Sequence, residues 1–165
     1  MKSERLSFKT TDLCDGNAGK VSIALPSELK DYGGRNNFYG KIHTVKCFEN
    51  NPFVRTALES EGEGKVLVVD GGGSMNCALL GDMLGEIAVK NKWSGIIVNG
   101  CIRDSSALSL LDIGVRALNT NPQKSGKKNE GQNNVKVNFS GIDFIPGEFI
   151  YCDEDGIITS KEDLI

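Results

Sequence analysis

Two short, unbroken apolar runs limit most severely what this chain folds into. Residues 66–69 read V-L-V-V and residues 96–98 read I-I-V. Neither alternates apolar with polar, as a strand with one wet face would, so each reads as a strand buried on both faces. Turn residues bound them: Asp70-Gly71-Gly72-Gly73 follows the first and Trp93-Ser94-Gly95 precedes the second. Between them, residues 82–92 put Leu84, Ile87, Ala88 and Asn91 on one helical face, with Glu86 and Lys90 four apart outside it. Leu108, Leu110 and Leu111 predict a further short helix, and residues 115–118 a third strand.

The flanks are built differently. Thr11-Asp12-Leu13 reads as the cap of a short helix. Tyr32-Gly33-Gly34-Arg35 is a turn, and residues 38–48 read as a strand carrying His43, Val45 and Cys47 on one side. Asn51 followed by Pro52 reads as an N-cap and first helical position, and the helix bearing Phe53, Val54, Ala57 and Leu58 stops near Gly62. Residues 119–134 hold no large apolar side chain and read as a solvated loop, long for a compact domain. After it, residues 135–139, 142–145, 149–152 and 156–159 are short strands joined by glycine-containing turns. Helical α/β units in the middle and a strand-rich last third predict a layered α/β domain with mixed sheets.

At 165 residues the chain suits one globular domain, spanning 1–165. A net charge of -3 argues against a nucleic-acid partner, which calls for a basic patch. No apolar run approaches the ~20 residues that span a bilayer, and no secretory h-region opens the sequence, so no membrane partner is expected. The five cysteines, Cys14, Cys47, Cys77, Cys101 and Cys152, form no CxxC pair. Scattered and odd in number, they read as free thiols in a reducing, cytoplasmic setting. A single histidine, His43, excludes mechanisms that need two.

Three motifs stand where chemistry is done. Asp70-Gly71-Gly72-Gly73-Ser74 follows a strand, but a dinucleotide fingerprint needs glycine at Asn76 and a phosphate loop needs Gly-Lys-Ser/Thr, so it reads as a tight turn. Gly81-Asp82-Met83-Leu84 opens a helix, where backbone N–H groups without intrahelical partners face an anion well. Taken alone it reads as an acidic residue stabilising a helix dipole. Arg103-Asp104 lies just past the strand of residues 96–98, at the strand end where α/β sheets bind ligands. Arginine forks onto carboxylate or enolate oxygens, and a lone aspartate suits Mg²⁺ or Mn²⁺. Taken alone, this pair is an exposed charge pair of little consequence.

The combination is more specific than its parts. Gly-Asp, some twenty residues and Arg-Asp, with VLVVDGGGS, GIIVNGCIRD, DIGVRAL, YGGR, KCFENN and VNFSG around them, resembles the RraA-like family over nearly the whole chain. That family contains the class II 4-hydroxy-4-methyl-2-oxoglutarate aldolases, which also decarboxylate oxaloacetate, and the regulators of ribonuclease activity. The resemblance implies a three-layer β/β/α sandwich resembling the swivelling phosphohistidine domain, assembled as a homotrimer. It implies a small 2-oxo-acid substrate bound at the loop Gly81, Asp82, Met83 and Leu84, its carboxylate held by the N–H groups of the last three, with Arg103 binding substrate and steadying the pyruvate enolate. It implies Asp104 as ligand to Mg²⁺ or Mn²⁺, and Asp82 as a catalytic acidic residue beside the metal. Aldolase members commonly carry an acidic residue where this chain has Ala107, so a supporting carboxylate is missing. The ribonuclease regulators lack the aspartate after the arginine, so Asp104 favours the metal-dependent lyase. The rival expectation is a non-catalytic regulator that binds a ribonuclease or RNA helicase.

Overall fold

The computed structural model describes residues 7–26 and 29–165. In chain order the elements are α1 (Thr10–Gly16), β1 (Val21–Ile23), β2 (Lys30–Asp31), β3 (Phe38–Lys46), α2 (Pro52–Glu59), β4 (Val66–Asp70), β5 (Ala78–Leu80) and α3 (Asp82–Lys90). They continue with β6 (Gly95–Ile102), α4 (Ser105–Leu108), β7 (Gly114–Thr120), β8 (Gln132–Asn133), β9 (Val137–Phe139), β10 (Ile142–Phe144), β11 (Phe149–Asp153) and β12 (Gly156–Ser160). The result is a mixed α/β fold with a large sheet and few helices.

The main sheet runs β1-β12-β11-β3-β4-β6-β7-β2, with β5 beside β6 and β8 beside β3. Its middle, β3-β4-β6-β7, is parallel. β3 joins two halves of the sheet: residues 38–41 pair with β11 and residues 42–46 with β4. The predicted apolar runs are the centre. All five residues of β4 are buried. β6 runs well past the predicted end at Val98, because a register shift against β7 between Val98 and Cys101 lets the strand continue through Asn99 and Gly100.

Alternation along these strands feeds two cores. Leu67, Val69, Ile96 and Val98 face the helices and pack with Val54, Leu58, Leu84, Ala88 and Leu108. Val66, Val68 and Ile97 face the other way, into a cluster with Phe139 and Phe144 of the β9–β10 hairpin and with Ile150, Cys152 and Ile157 of β11 and β12. Phe38 fixes how tightly β3 lies on its neighbours. Its ring sits over Gly95 and Gly114, which are paired across β6 and β7, and a Cβ on either would collide with it.

Two local expectations are revised. The Asp12 segment does not cap the first helix. α1 starts at Thr10, whose N–H and hydroxyl both donate to the Asp153 carboxylate (2.7 Å each), tying the helix to the end of β11. The 119–134 segment is solvated, as expected, but anchored. The Ala78 N–H donates to the Gln123 carbonyl (2.8 Å), Gly126 N–H to the Glu49 carbonyl (2.7 Å), and β8 pairs with β3. Among the described residues no helix is long and apolar enough to cross a membrane.

Gly114→Ala is expected to lower stability by about 1–3 kcal/mol through overpacking against Phe38, measured by denaturant unfolding. Asp153 gives a pH test. Burial pushes its carboxyl up, but bonds from Thr10 and from the Asp155 and Gly156 N–H groups outweigh that and hold it below the ordinary value. A depressed carboxyl stabilises the fold above its unfolded-state range, and that stability is lost as pH falls through the folded value. Asp153→Asn is therefore expected to flatten the acid limb of the stability curve below about pH 4, with wild type losing stability more steeply there.

Candidate active site

The site is assembled by a parallel strand pair and the helix that follows. β5 runs beside the end of β6, and the Arg103 N–H donates to the Leu80 carbonyl (2.9 Å). That bond sets Arg103-Asp104 directly against Gly81, where α3 begins. A Cβ at Gly81 would lie 2.7 Å from Asp104 Oδ2 and 3.3 Å from Arg103 Cγ, so only glycine permits the approach.

Asp104 is the unusual residue. Its backbone is left-handed (φ 57°, ψ 41°), a conformation that costs a non-glycine residue on the order of 1–3 kcal/mol. It stands at the N-cap position of α4, where aspartate ordinarily accepts a bond from that helix's own N–H groups. Here it makes no such cap. Its Oδ2 accepts instead from the Asp82 N–H, across the site (3.2 Å). The first bond of the α3 ladder is Gly85 N–H to Gly81 carbonyl (3.0 Å), so the N–H groups of Asp82, Met83 and Leu84 all precede it. The expectation that these three hold an anion together is narrowed: Asp104 engages the first, which leaves Met83 and Leu84 as donors.

A cavity of about 110 Å³ opens over this turn. Every residue predicted from the sequence lines it: Gly81, Asp82, Met83, Leu84, Arg103 and Asp104. So do residues that sequence reasoning did not assign to it, namely Asn51 and Arg55 of the α2 region and Lys124 and Lys127 of the 119–134 loop. In the sequence they are marked by the Asn51-Pro52 pair and by three lysines within residues 124–128 of the loop. Asn51 was expected to cap α2, and it makes no side-chain cap. Its Nδ2 donates to the Leu79 carbonyl (3.1 Å) and its Oδ1 accepts from Lys127 Nζ (2.9 Å), so it splices α2, β5 and the lysine loop together.

The donor set decides which metal fits. Among the described residues no three His, Cys, Asp or Glu side chains converge, which excludes a closed tetrahedral zinc site among them. Asp104 and Asp82 offer hard carboxylate oxygens on the rim of a small polar cavity. That fits Mg²⁺ or Mn²⁺, which keep waters of their own and take one or two carboxylates. The thiols supply no ready nucleophile: Cys47 is pushed up to about 12 by burial and then by Asp70 and Cys77, and burial pushes up Cys101 as well.

The other motifs are structural. Asp70 Oδ1 accepts from the Gly72 N–H and the Asn99 side chain (3.0 Å each), and Gly72 and Gly73 take the positive φ that the tight turn requires. His43 bonds Asn133 (2.9 Å) and meets Trp93 edge-on. A larger cavity, about 620 Å³, lies between α1 and β1. Its one arginine, Arg116, donates through Nη2 to the carbonyls of Asn36 and Asp153 (3.1 and 2.7 Å), while its buried Nε lies 4.0 Å from Asp31 Oδ1 without a hydrogen bond.

Known proteins match nearly the whole of this chain. The family described as "RraA-like: Aldolase/RraA" matches residues 10–159. A protein of Aromatoleum aromaticum with the provisional name 4-hydroxy-4-methyl-2-oxoglutarate aldolase is 54% identical over 97% of this chain and 100% of its own length. One of Dechloromonas aromatica with the same provisional name is 51% identical over 96% and 99%. Among solved structures, a Geobacillus kaustophilus protein described as an S-adenosylmethionine:2-dimethylmenaquinone methyltransferase superposes with a TM-score of 0.92 at 44% identity, over 95% of this chain and 97% of that one. The RNA-processing inhibitor RraA from Thermus thermophilis superposes at 0.91 and 41% identity, over 95% and 94%.

The Gly81–Asp104 contact makes a direct prediction. Gly81→Ala is expected to displace the Asp104 carboxylate and release the Asp82 N–H, speeding hydrogen exchange at that amide roughly tenfold or more while the β4 and β6 amides stay protected. Unchanged exchange at Asp82, read by NMR, would refute the contact.

Proposed function

We propose that this chain, which belongs to the RraA-like family, is a divalent-metal-dependent carbon–carbon lyase that cleaves 4-hydroxy-4-methyl-2-oxoglutarate to pyruvate and decarboxylates oxaloacetate as a side activity. The observation that carries the reading is the Asp104 carboxylate, turned from its own helix onto the N-terminus of α3 beside Arg103. The provisional aldolase name of relatives at about half identity supports the reaction class. The methyltransferase description of the Geobacillus protein has no counterpart here, because the Gly71–Gly73 turn lacks the spacing of a nucleotide loop.

In this reading the N–H groups of Met83 and Leu84, aided by the helix dipole, hold the substrate's C1 carboxylate. Mg²⁺ or Mn²⁺ held through Asp104 supplies Lewis-acid polarisation of the 2-oxo group. The 4-hydroxyl gives up its proton, the C3–C4 bond breaks, and the electron pair moves onto the 2-oxo oxygen. Arg103 donates to that oxygen as its charge grows, the kind of preorganised stabilisation that dominates many enzymes. Asp82 is placed to handle the proton that leaves the hydroxyl and the one that returns to C3. Ala107 provides no supporting carboxylate, so the metal is held more weakly than in a member with an acidic residue there.

We further propose a cytoplasmic homotrimer with β/β/α layering akin to the swivelling phosphohistidine domain. Met83 and Leu110, 65% and 86% exposed on α3 and just past α4, are apolar side chains that a neighbouring subunit would cover. The resemblance to an RNA-processing inhibitor supports a second reading, a regulator that works without metal.

Purified protein is expected to release pyruvate from 4-hydroxy-4-methyl-2-oxoglutarate or oxaloacetate only with Mg²⁺ or Mn²⁺. Folded, metal-replete protein that turns over neither acid would sink the lyase and promote the regulator. Asp104→Ala is expected to lose metal affinity in calorimetry. Arg103→Lys is expected to keep it while turnover falls roughly 10²- to 10³-fold, because lysine lacks the planar fork.

A further inference from the structure

β5 is a three-residue strand that ends directly at Gly81, so its position sets where α3 begins. β6 pairs with it, and the Arg103 N–H donates to the Leu80 carbonyl (2.9 Å). Two other segments hold it as well. The Ala78 N–H donates to the Gln123 carbonyl (2.8 Å), and the Leu79 carbonyl accepts from Asn51 Nδ2 (3.1 Å). Of these three bonds, only the one from Asn51 is made by a side chain. Leu79 is buried, and a buried carbonyl is costly to leave without a donor.

Asn51 reaches β5 from a fixed base. Its own N–H donates to the Gly126 carbonyl (3.4 Å), and its carbonyl accepts from the Arg55 N–H (3.1 Å). The side-chain amide has one usable orientation. A carbonyl only accepts and an ammonium only donates, so the NH2 faces Leu79 and the oxygen faces Lys127 Nζ (2.9 Å). The tolerance at the far end of β5 is small. A Cβ on Gly81 would lie 2.7 Å from Asp104 Oδ2, and the Asp82 N–H donates to the same oxygen at 3.2 Å. A small shift of β5 changes both contacts.

We infer that Asn51 is a positioning residue for this site: through the Leu79 carbonyl it fixes β5, and through β5 it fixes the approach of Gly81 and Asp82 to Asp104. The Asn51-Pro52 pair, which the sequence presents as a helix cap, thus serves the site as well as α2. The inference concerns the geometry of the Asp82–Asp104 contact and is separable from the lyase reading. It requires a primary amide, with a donor on one arm and an acceptor on the other. Aspartate has nearly the same size and offers two acceptors. It keeps a partner for Lys127 and turns an oxygen against the Leu79 carbonyl.

The test compares wild type with Asn51→Asp, Asn51→Ala and Lys127→Met by amide hydrogen exchange in NMR, without metal. Both Asn51 variants are expected to speed exchange at Asp82 about tenfold, while the amides of Val68 and Val69 in β4 keep their protection. Lys127→Met retains the bond to Leu79 and is expected to leave Asp82 near its wild-type rate. In wild type the Asn51 side-chain amide protons are expected to exchange slowly, a reading that needs no variant to fold. The proposal is overturned by Asp82 exchange unmoved in Asn51→Asp, or by an acceleration that β4 shares, which marks general loosening. It is overturned equally if Lys127→Met acts as strongly as Asn51→Asp, or if the wild-type Asn51 amide exchanges as fast as a free one. Pyruvate release with Mg²⁺ or Mn²⁺ is read in parallel, and kcat is expected to fall about tenfold in both Asn51 variants. An unmoved kcat in both overturns the positioning role. If wild type releases no pyruvate, the lyase reading fails, and the exchange rates alone decide the role of Asn51.

Discussion

The constraint on which everything else rests is the burial of β4 and β6 on both faces. Val66, Leu67, Val68, Val69, Ile96, Ile97 and Val98 are all fully inaccessible to solvent. Such strands are stable only if each face is covered along its length, since the gain comes from apolar area removed from water. One face takes α2, α3 and α4, and the other takes the β9–β10 hairpin with β11 and β12. The chain reaches the second cover by passing β3 from one half of the sheet to the other, and the Phe38–Gly95–Gly114 contact sets how closely those halves approach. The site is a by-product of the same requirement. Covering the helical face makes the chain turn at Gly81 and at Asp104, on neighbouring strand ends.

Of the six non-glycine residues with positive φ among the described residues, Asp104 is the one in the cavity lining. Asp104 holds a left-handed backbone and forgoes the capping bond its position offers. Both costs are recovered only in part by the single bond to the Asp82 N–H. Strain of this kind at a cavity rim fits a binding site, where the surroundings over-determine an unfavourable geometry. Gly81 contributes by having no side chain, and Asn51 by spending its amide on β5 and the lysine loop in place of a cap.

One fold serves relatives described as aldolases and a relative described as an RNA-processing inhibitor, so the scaffold does not decide between the activities. The decision falls to a few side chains. In the proposed lyase Asp104 is the metal ligand and Ala107 leaves out a supporting carboxylate, while Lys124 and Lys127 of the 119–134 loop add positive charge to the cavity lining. That loop is solvated yet tied at Gln123, Gly126 and β8, which fixes the backbone that carries its lysines.

The sequence by itself determined the central strands, the helix after Gly81 and the pairing of Gly81–Leu84 with Arg103–Asp104. Each is written in contiguous residues: an unbroken apolar run, a 3.6-residue spacing, a motif at the end of a strand. The resemblance rests on the same local strings. Only the tertiary structure decided which way the Asp104 carboxylate turns, because that depends on a left-handed backbone and on how close Gly81 stands. It alone placed Arg55 and Lys127 in the cavity, since they come from a helix and a loop more than seventy positions apart, joined through the Asn51 side chain. It also moved the start of α1 to Thr10, whose partner Asp153 lies at the other end of the chain. Contacts between distant residues leave no periodicity in a single sequence, and polar side chains such as Asn51 and Asp153 choose among partners that only folding brings within reach.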